Sequence, residues 1–135
     1  MARILIVEDD CNTRVGLSEI LSEEGYDIVA VETAEAALER IETDIDILLS
    51  DLRLPCKSGL ELVKEFKSLR PALIAIIMTA YSTPECYIEG KDIGVEAWLT
   101  KPLNVENLLS LLKKTQSSVT CHKERQIPQP ETVLE

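Results

Sequence analysis

Three short stretches of nearly unbroken aliphatic side chains, Ile4 to Val7, Ile45 to Leu49 and Leu73 to Met78, constrain this chain more than any other feature. Each is too short for a buried helix and lacks a polar residue at every second position. Such runs suit strands covered on both faces, as in a parallel sheet. Each also stops on polar residues: the first on Glu8, Asp9 and Asp10, the second on Asp51, the third on Thr79. A carboxylate at the carboxyl end of a strand lies where open α/β sheets gather their ligands. Pro55 stiffens the turn beyond Asp51. Asp51 is therefore the candidate chemical centre.

Helical patterns fill the intervals. Asn12 or Thr13 is expected to cap a helix with Leu17, Ile20 and Leu21 on its apolar face and Gly25 at its end. Tyr26 to Val31 reads as a strand, and Thr33 caps a helix with Ala34, Ala37, Leu38 and Ile41 on one face. Ser58 and Glu61 form a capping box for a helix whose Leu62, Val63, Phe66 and Leu69 face inward before Pro71 stops it. Thr83-Pro84 opens a further helix, which the internal Gly90 and a thin apolar stripe make the least stable one. Val95 to Leu99 reads as the last strand. Asn104 caps the final helix, with Val105, Leu108, Leu109 and Leu112 inward and Lys113 and Lys114 at its carboxyl end.

Alternation of five strands with five helices predicts an α/β fold, a doubly wound parallel sheet with helices on both faces. The pattern fades near Gln116, so residues 1–116 are expected to form the domain and residues 117–135 a flexible tail or interdomain linker. No run approaches the roughly 20 apolar residues of a membrane helix, and the start of the chain leads straight into a strand, so a cytoplasmic location is expected. The 24 acidic and 14 basic residues leave a net charge of −10, which repels nucleic acid and argues against direct binding to it. Cys11, Cys56, Cys86 and Cys121 are scattered and His122 is the only histidine, which suggests neither a zinc site nor a disulfide framework.

In a parallel sheet the strand ends share one edge, so Glu8-Asp9, Asp51, Thr79 and Lys101 should converge. Carboxylates brought together repel one another, and a divalent cation bound by oxygens, Mg2+ foremost, relieves this. Asp51 would then attack phosphorus and carry an aspartyl-phosphate. Glu8 and Asp9 would hold the metal, Thr79 would donate its hydroxyl to a phosphoryl oxygen, and Lys101 would supply the ion pair. No Walker-type loop is present, which argues against ATP as direct donor.

Five phrases in order carry a resemblance: LIVEDD at Leu5 to Asp10 with Arg14 after it, SDLRLP at Ser50 to Pro55, SGLEL at Ser58 to Leu62, MTA at Met78 to Ala80, and TKP at Thr100 to Pro102. The chain resembles the receiver domain of two-component response regulators (CheY-like family) over roughly residues 3–115. The resemblance implies strand order 2-1-3-4-5 and transfer of a phosphoryl group onto Asp51 from a sensor histidine kinase or phosphotransfer protein. It implies a metal contact from the backbone carbonyl of Arg53, with Asp10 a bystander, and a cis peptide at Lys101-Pro102. It further implies a switch through Thr79 and the aromatic position held here by Trp98, which biases the face made by the fourth helix, fifth strand and fifth helix. That face would bind an output domain or downstream protein, and homodimerisation is compatible with it. SDLRLP and MTAY resemble receivers joined to transcription activators. The implied protein is a switch rather than an enzyme, catalysing only its own phosphorylation and dephosphorylation.

Departures from the family pattern are Trp98 in place of Tyr or Phe, Cys56 in place of a glycine, and Leu103 in place of Phe. Arg53 and Tyr81 flank the approach to the phosphoryl group and are expected to slow its hydrolysis. Two other readings stand beside this one. A receiver-like binding module that takes no phosphate would lack the complete acid, Thr and Lys set. A haloacid-dehalogenase-type enzyme would carry a second Asp at the position of Arg53. Cys11, Cys56 and Cys86 should lie near the same edge, which raises a redox reading, although cytosolic thiols are most simply bystanders.

Overall fold

The computed structural model describes residues 2–41, 43–55, 57–80 and 84–124, with side chains up to residue 115. The aliphatic runs form strands where both faces are covered. They give β1 (Arg3–Val7), β3 (Ile47–Asp51) and β4 (Ile74–Thr79), while the more polar segments give β2 (Asp27–Val31) and β5 (Val95–Thr100). All pairings are parallel and the strand order is β2-β1-β3-β4-β5. The central strands are the most deeply buried, every residue of β3 and β4 being inaccessible or nearly so.

Strand alternation sorts the core by face. Leu5, Val7, Leu48, Ala75 and Ile77 meet Ala34 and Ala37 of α2 (Ala34–Leu38) and Val63 and Phe66 of α3 (Gly59–Leu69). Ile4, Ile6, Ile47, Leu49, Ile76 and Met78 fill the other face and are fully or almost fully buried. On α1 (Cys11–Glu23), which packs against β1 and β2, Leu17 and Leu21 are buried.

Local chemistry sets the helix ends, with some differences from the sequence pattern. Asp10, not Asn12 or Thr13, is the N-cap of α1. Its carboxylate accepts from the Thr13 backbone N at 2.9 Å and the Thr13 hydroxyl at 2.7 Å. Gly25 ends that helix with φ of +98°, a conformation that favours glycine. α2 is only 5 residues long. Beyond it the backbone tightens, Arg40 bonding to Ala37, Ile41 to Leu38 and Thr43 to Arg40, because the chain must turn at once into β3. The Ser58–Glu61 capping box of α3 is present, but Leu69 in its last turn is exposed rather than inward.

The fourth helix, α4, is Pro84–Ile93, and the expected cap Thr83 lies outside the described residues. β5 joins β4 with a register shift at Glu96, whose side chain takes the hydrogen bond of the Ala75 backbone N at 2.8 Å. That carboxylate also meets Lys67 at 3.0 Å. The Lys101-Pro102 peptide is cis.

Residues up to Pro102 form one unit; a second begins at Leu103 and contains α5 (Val105–Glu124). Asn104 caps α5 by accepting from the Asn107 backbone N at 3.0 Å. Leu108 and Leu112 are buried, while Val105, expected inward, is exposed. The helical backbone continues past residue 116, where the apolar pattern fades, because neither Gly nor Pro interrupts the sequence before Pro128.

Candidate functional site

Four strand ends meet at the carboxyl edge of the sheet. The ladder continues one residue beyond β1, since the Glu8 backbone N donates to the Val31 carbonyl at 3.1 Å, which fixes where the Glu8 side chain departs. β3 ends on Asp51 and β4 on Thr79, and Lys101 follows the last residue of β5. The Lys101 backbone N donates to the Thr79 carbonyl at 2.9 Å, so the β4–β5 ladder carries the lysine to the site.

The Lys101 ammonium bridges the acids, 2.7 Å from Glu8 Oε1 and 3.0 Å from Asp51 Oδ2. Glu8 is fully buried, Asp51 and Thr79 nearly so, and Asp9 is exposed. One carboxylate oxygen from each of Glu8, Asp9 and Asp51 lies within 4.8 Å of the other two. An acidic pocket with only oxygen donors, open on the Asp9 side, suits a hard divalent cation.

Burial pushes the Glu8 carboxyl above its ordinary value, against the Lys101 hydrogen bond and the Asp10 backbone N, which donates to Glu8 Oε2 at 3.1 Å. Burial would lower the Lys101 ammonium, but its hydrogen bonds to Glu8 and Asp51 outweigh this and hold it above its ordinary value. Lys101 therefore carries its charge at neutral pH beside the two acids.

The loop beyond Asp51 is closed by a bridge between Arg53 and Ser58 and by the Gly59 backbone N, which donates to the Leu52 carbonyl at 2.7 Å. Arg53 is exposed, and its backbone N approaches Asp51 Oδ1 at 3.4 Å. Gly59 went unrecognised as a site residue in the sequence. Any Cβ there would overlap the Asp51 carbonyl oxygen, so α3 approaches the end of β3 this closely because residue 59 is glycine. Gly59 stood inside the SGLEL phrase with no role assigned, and its physical signal was a glycine at a first helical position, where helix propensity disfavours it.

Trp98 is half-buried, packed on the main core and tilted against the Tyr87 ring with centroids 4.6 Å apart. Gly90 makes this possible: a methyl there would come within 2.5 Å of Trp98 Cζ2. Cys11 is an exposed thiol at the start of α1 and Cys86 is half-buried in α4. Cys56 and Tyr81 lie outside the described residues.

The family model for the response regulator receiver domain matches residues 4–113. The chain is a response regulator receiver domain. This receiver is 36% identical over 112 residues to the transcriptional regulatory protein ZraR of Escherichia coli K12, covering 82% of this chain and 25% of the relative. It is 30% identical over 113 residues to sporulation initiation phosphotransferase F of Bacillus subtilis, covering 83% of this chain and 91% of that protein. The CheY-like receiver domain structure from Methanospirillum hungatei superposes with a TM-score of 0.84 at 33% identity, covering 87% of this chain and 95% of the other. The receiver spans about a quarter of the length of ZraR, a protein named as a transcriptional regulator.

Proposed function

We propose that this receiver takes a phosphoryl group onto Asp51 from the phosphohistidine of a sensor kinase or phosphotransfer protein. The observation that carries the reading is the bridge from Lys101 to Glu8 and Asp51 at the edge where Thr79 also ends a strand. In the transfer, an Asp51 carboxylate oxygen forms a bond to phosphorus as the phosphorus–nitrogen bond breaks. The electron pair of that bond stays on the donor imidazole, which takes up a proton from water. Lys101 balances charge on the acceptor and on a phosphoryl oxygen, and the Thr79 hydroxyl donates to another.

Mg2+ held by Glu8, Asp9, Asp51 and the Arg53 carbonyl would supply charge neutralisation for the phosphoryl oxygens. The chain's own chemistry then ends with hydrolysis of its aspartyl-phosphate, and it acts as a switch in the cytoplasm rather than on an external substrate. Phosphorylation draws Thr79 inward and biases Trp98 and α4 between two populations, which changes the affinity of that surface for an output domain or downstream protein. Residues 1–116 act as the switching domain, and the segment from 117 is either a tail or a linker to an output domain such as a transcription regulator carries.

The test is mass spectrometry after incubation with Mg2+ and acetyl phosphate. One added phosphoryl group is expected in the parent and none in Asp51→Asn. Equal labelling of the two proteins would overturn the assignment.

A further inference from the structure

We propose that Arg14 is a positioning residue for the acidic pocket, setting the direction of the Glu8 side chain through the Glu8 backbone carbonyl. The inference rests on the reading of Glu8 as part of the phosphoryl site.

Both Glu8 carboxylate oxygens are engaged, Oε1 by Lys101 and Oε2 by the Asp10 backbone N. With the side chain fully buried, its direction depends on the backbone at residue 8. The Glu8 backbone N is fixed by Val31, but the pairing of β1 with β2 ends there, at Val7 with Val31. The Glu8 carbonyl, on the same side of the strand as its N–H, thus leaves the ladder toward β2. Arg14 meets it, donating from Nη1 at 3.0 Å. A charged donor to a carbonyl in a half-buried place is stronger than a neutral one.

Arg14 is itself held. It lies in the first turn of α1, and its backbone N donates to the Asp10 carbonyl at 2.9 Å. Its Nη2 lies 3.7 Å from the carboxylate of Glu32, the residue after β2. One planar fork therefore joins the ends of β1 and β2 to the start of α1, which a lysine with a single ammonium cannot reproduce. Glu32 is largely exposed, so its ion pair adds little beyond orientation.

A purely structural role, tying α1 to the sheet, would leave metal binding intact, and this separates the two readings. Arg3 provides the control: it pairs with Asp27 at 2.8 Å and ties the same two strands at their opposite ends. Calorimetric titration with Mg2+, below the melting temperature of each variant, would compare the parent with Arg14→Ala, Arg14→Lys, Glu32→Gln and Arg3→Ala. Residues that orient ligands cost about 10- to 100-fold in metal affinity when removed, and Arg14→Ala is expected at the lower end of that range.

Arg14→Lys should fall between Arg14→Ala and the parent, and Arg3→Ala should bind as the parent does. Glu32→Gln should lose less than about threefold, as an exposed pair would. Parent-like affinity in Arg14→Ala, or an equal loss in Arg3→Ala, would overturn the proposal. If Arg14→Ala does not fold, Arg14→Lys carries the test, and parent-like affinity there is the overturning result. Labelling of the parent by acetyl phosphate is scored separately. A parent that binds Mg2+ without being labelled would sink the acceptor assignment, while the affinity series would still decide the role of Arg14.

Discussion

At residue 59 a hydrogen atom stands where any other amino acid would place carbon, and the Asp51 carbonyl occupies the difference. In Gly59→Ala either α3 must retreat or the end of β3 must bend, and both move the acceptor. Overpacking of this kind costs about 1–3 kcal/mol. The variant is expected to unfold at a lower denaturant concentration and to be labelled more slowly by acetyl phosphate than the parent. An unchanged midpoint would mean that the contact relaxes without cost. The three neighbouring acids show how far residues alone can be read. All three follow a buried strand, and the resemblance to receivers is what separated Glu8 and Asp9 from Asp10. It set Asp10 aside without assigning it a task, since capping depends on where the helix begins, and Asn12 and Thr13 are equally good caps by composition. Only the backbone shows that α1 starts at Cys11.

α4 presents the same problem at the scale of an element. Gly90 reads in sequence as a weakness, for glycine costs about 1 kcal/mol relative to alanine within a helix. In the fold it is the socket for an indole. Gly90→Ala therefore sets a propensity gain of about 1 kcal/mol against an overpacking cost of about 1–3 kcal/mol, and a net loss is expected. Trp98 is the only tryptophan, so its fluorescence reports the outcome directly. Displacement toward water should shift emission to longer wavelength, and adding Trp98→Phe to Gly90→Ala should restore most of the lost stability. If the double variant is no more stable than Gly90→Ala alone, the two residues are not a matched pair. The α3 capping box was legible because its signal lies within four residues. The pairing of Gly90 with Trp98 was not, because a size match between a helix and a strand leaves no periodic trace. Leu69 was misread for a related reason: helical spacing gives the angle of a side chain about the axis, not how far the neighbouring layer extends.

For the whole molecule, the net charge of −10 and the acidic pocket predict a folded state that divalent cations stabilise. Mg2+ at about 100 times its dissociation constant is expected to add about 2.7 kcal/mol, read as a rise in melting temperature that a chelator reverses. Asp9→Asn removes one of the mutually repelling carboxylates. It should melt at or above the parent in chelator and below it in saturating Mg2+; the same order in both conditions would exclude Asp9 as a ligand. The parallel, doubly wound layout was legible because apolar runs and helices alternate clearly here, whereas the strand order 2-1-3-4-5 came from the resemblance to receivers alone. The bridging distances at Lys101 were not legible, because they depend on ladders completed by the full set of strands. The two acids that Lys101 bridges stand at the ends of the interior strands β1 and β3, whereas Lys101 follows β5, at the edge of the sheet and 93 residues from Glu8. An edge strand opens at lower cost than an interior one. Each local opening of β5 would withdraw the cation and leave two carboxylates facing each other, so amide exchange along β5 and the charge balance of the pocket should rise and fall as one event.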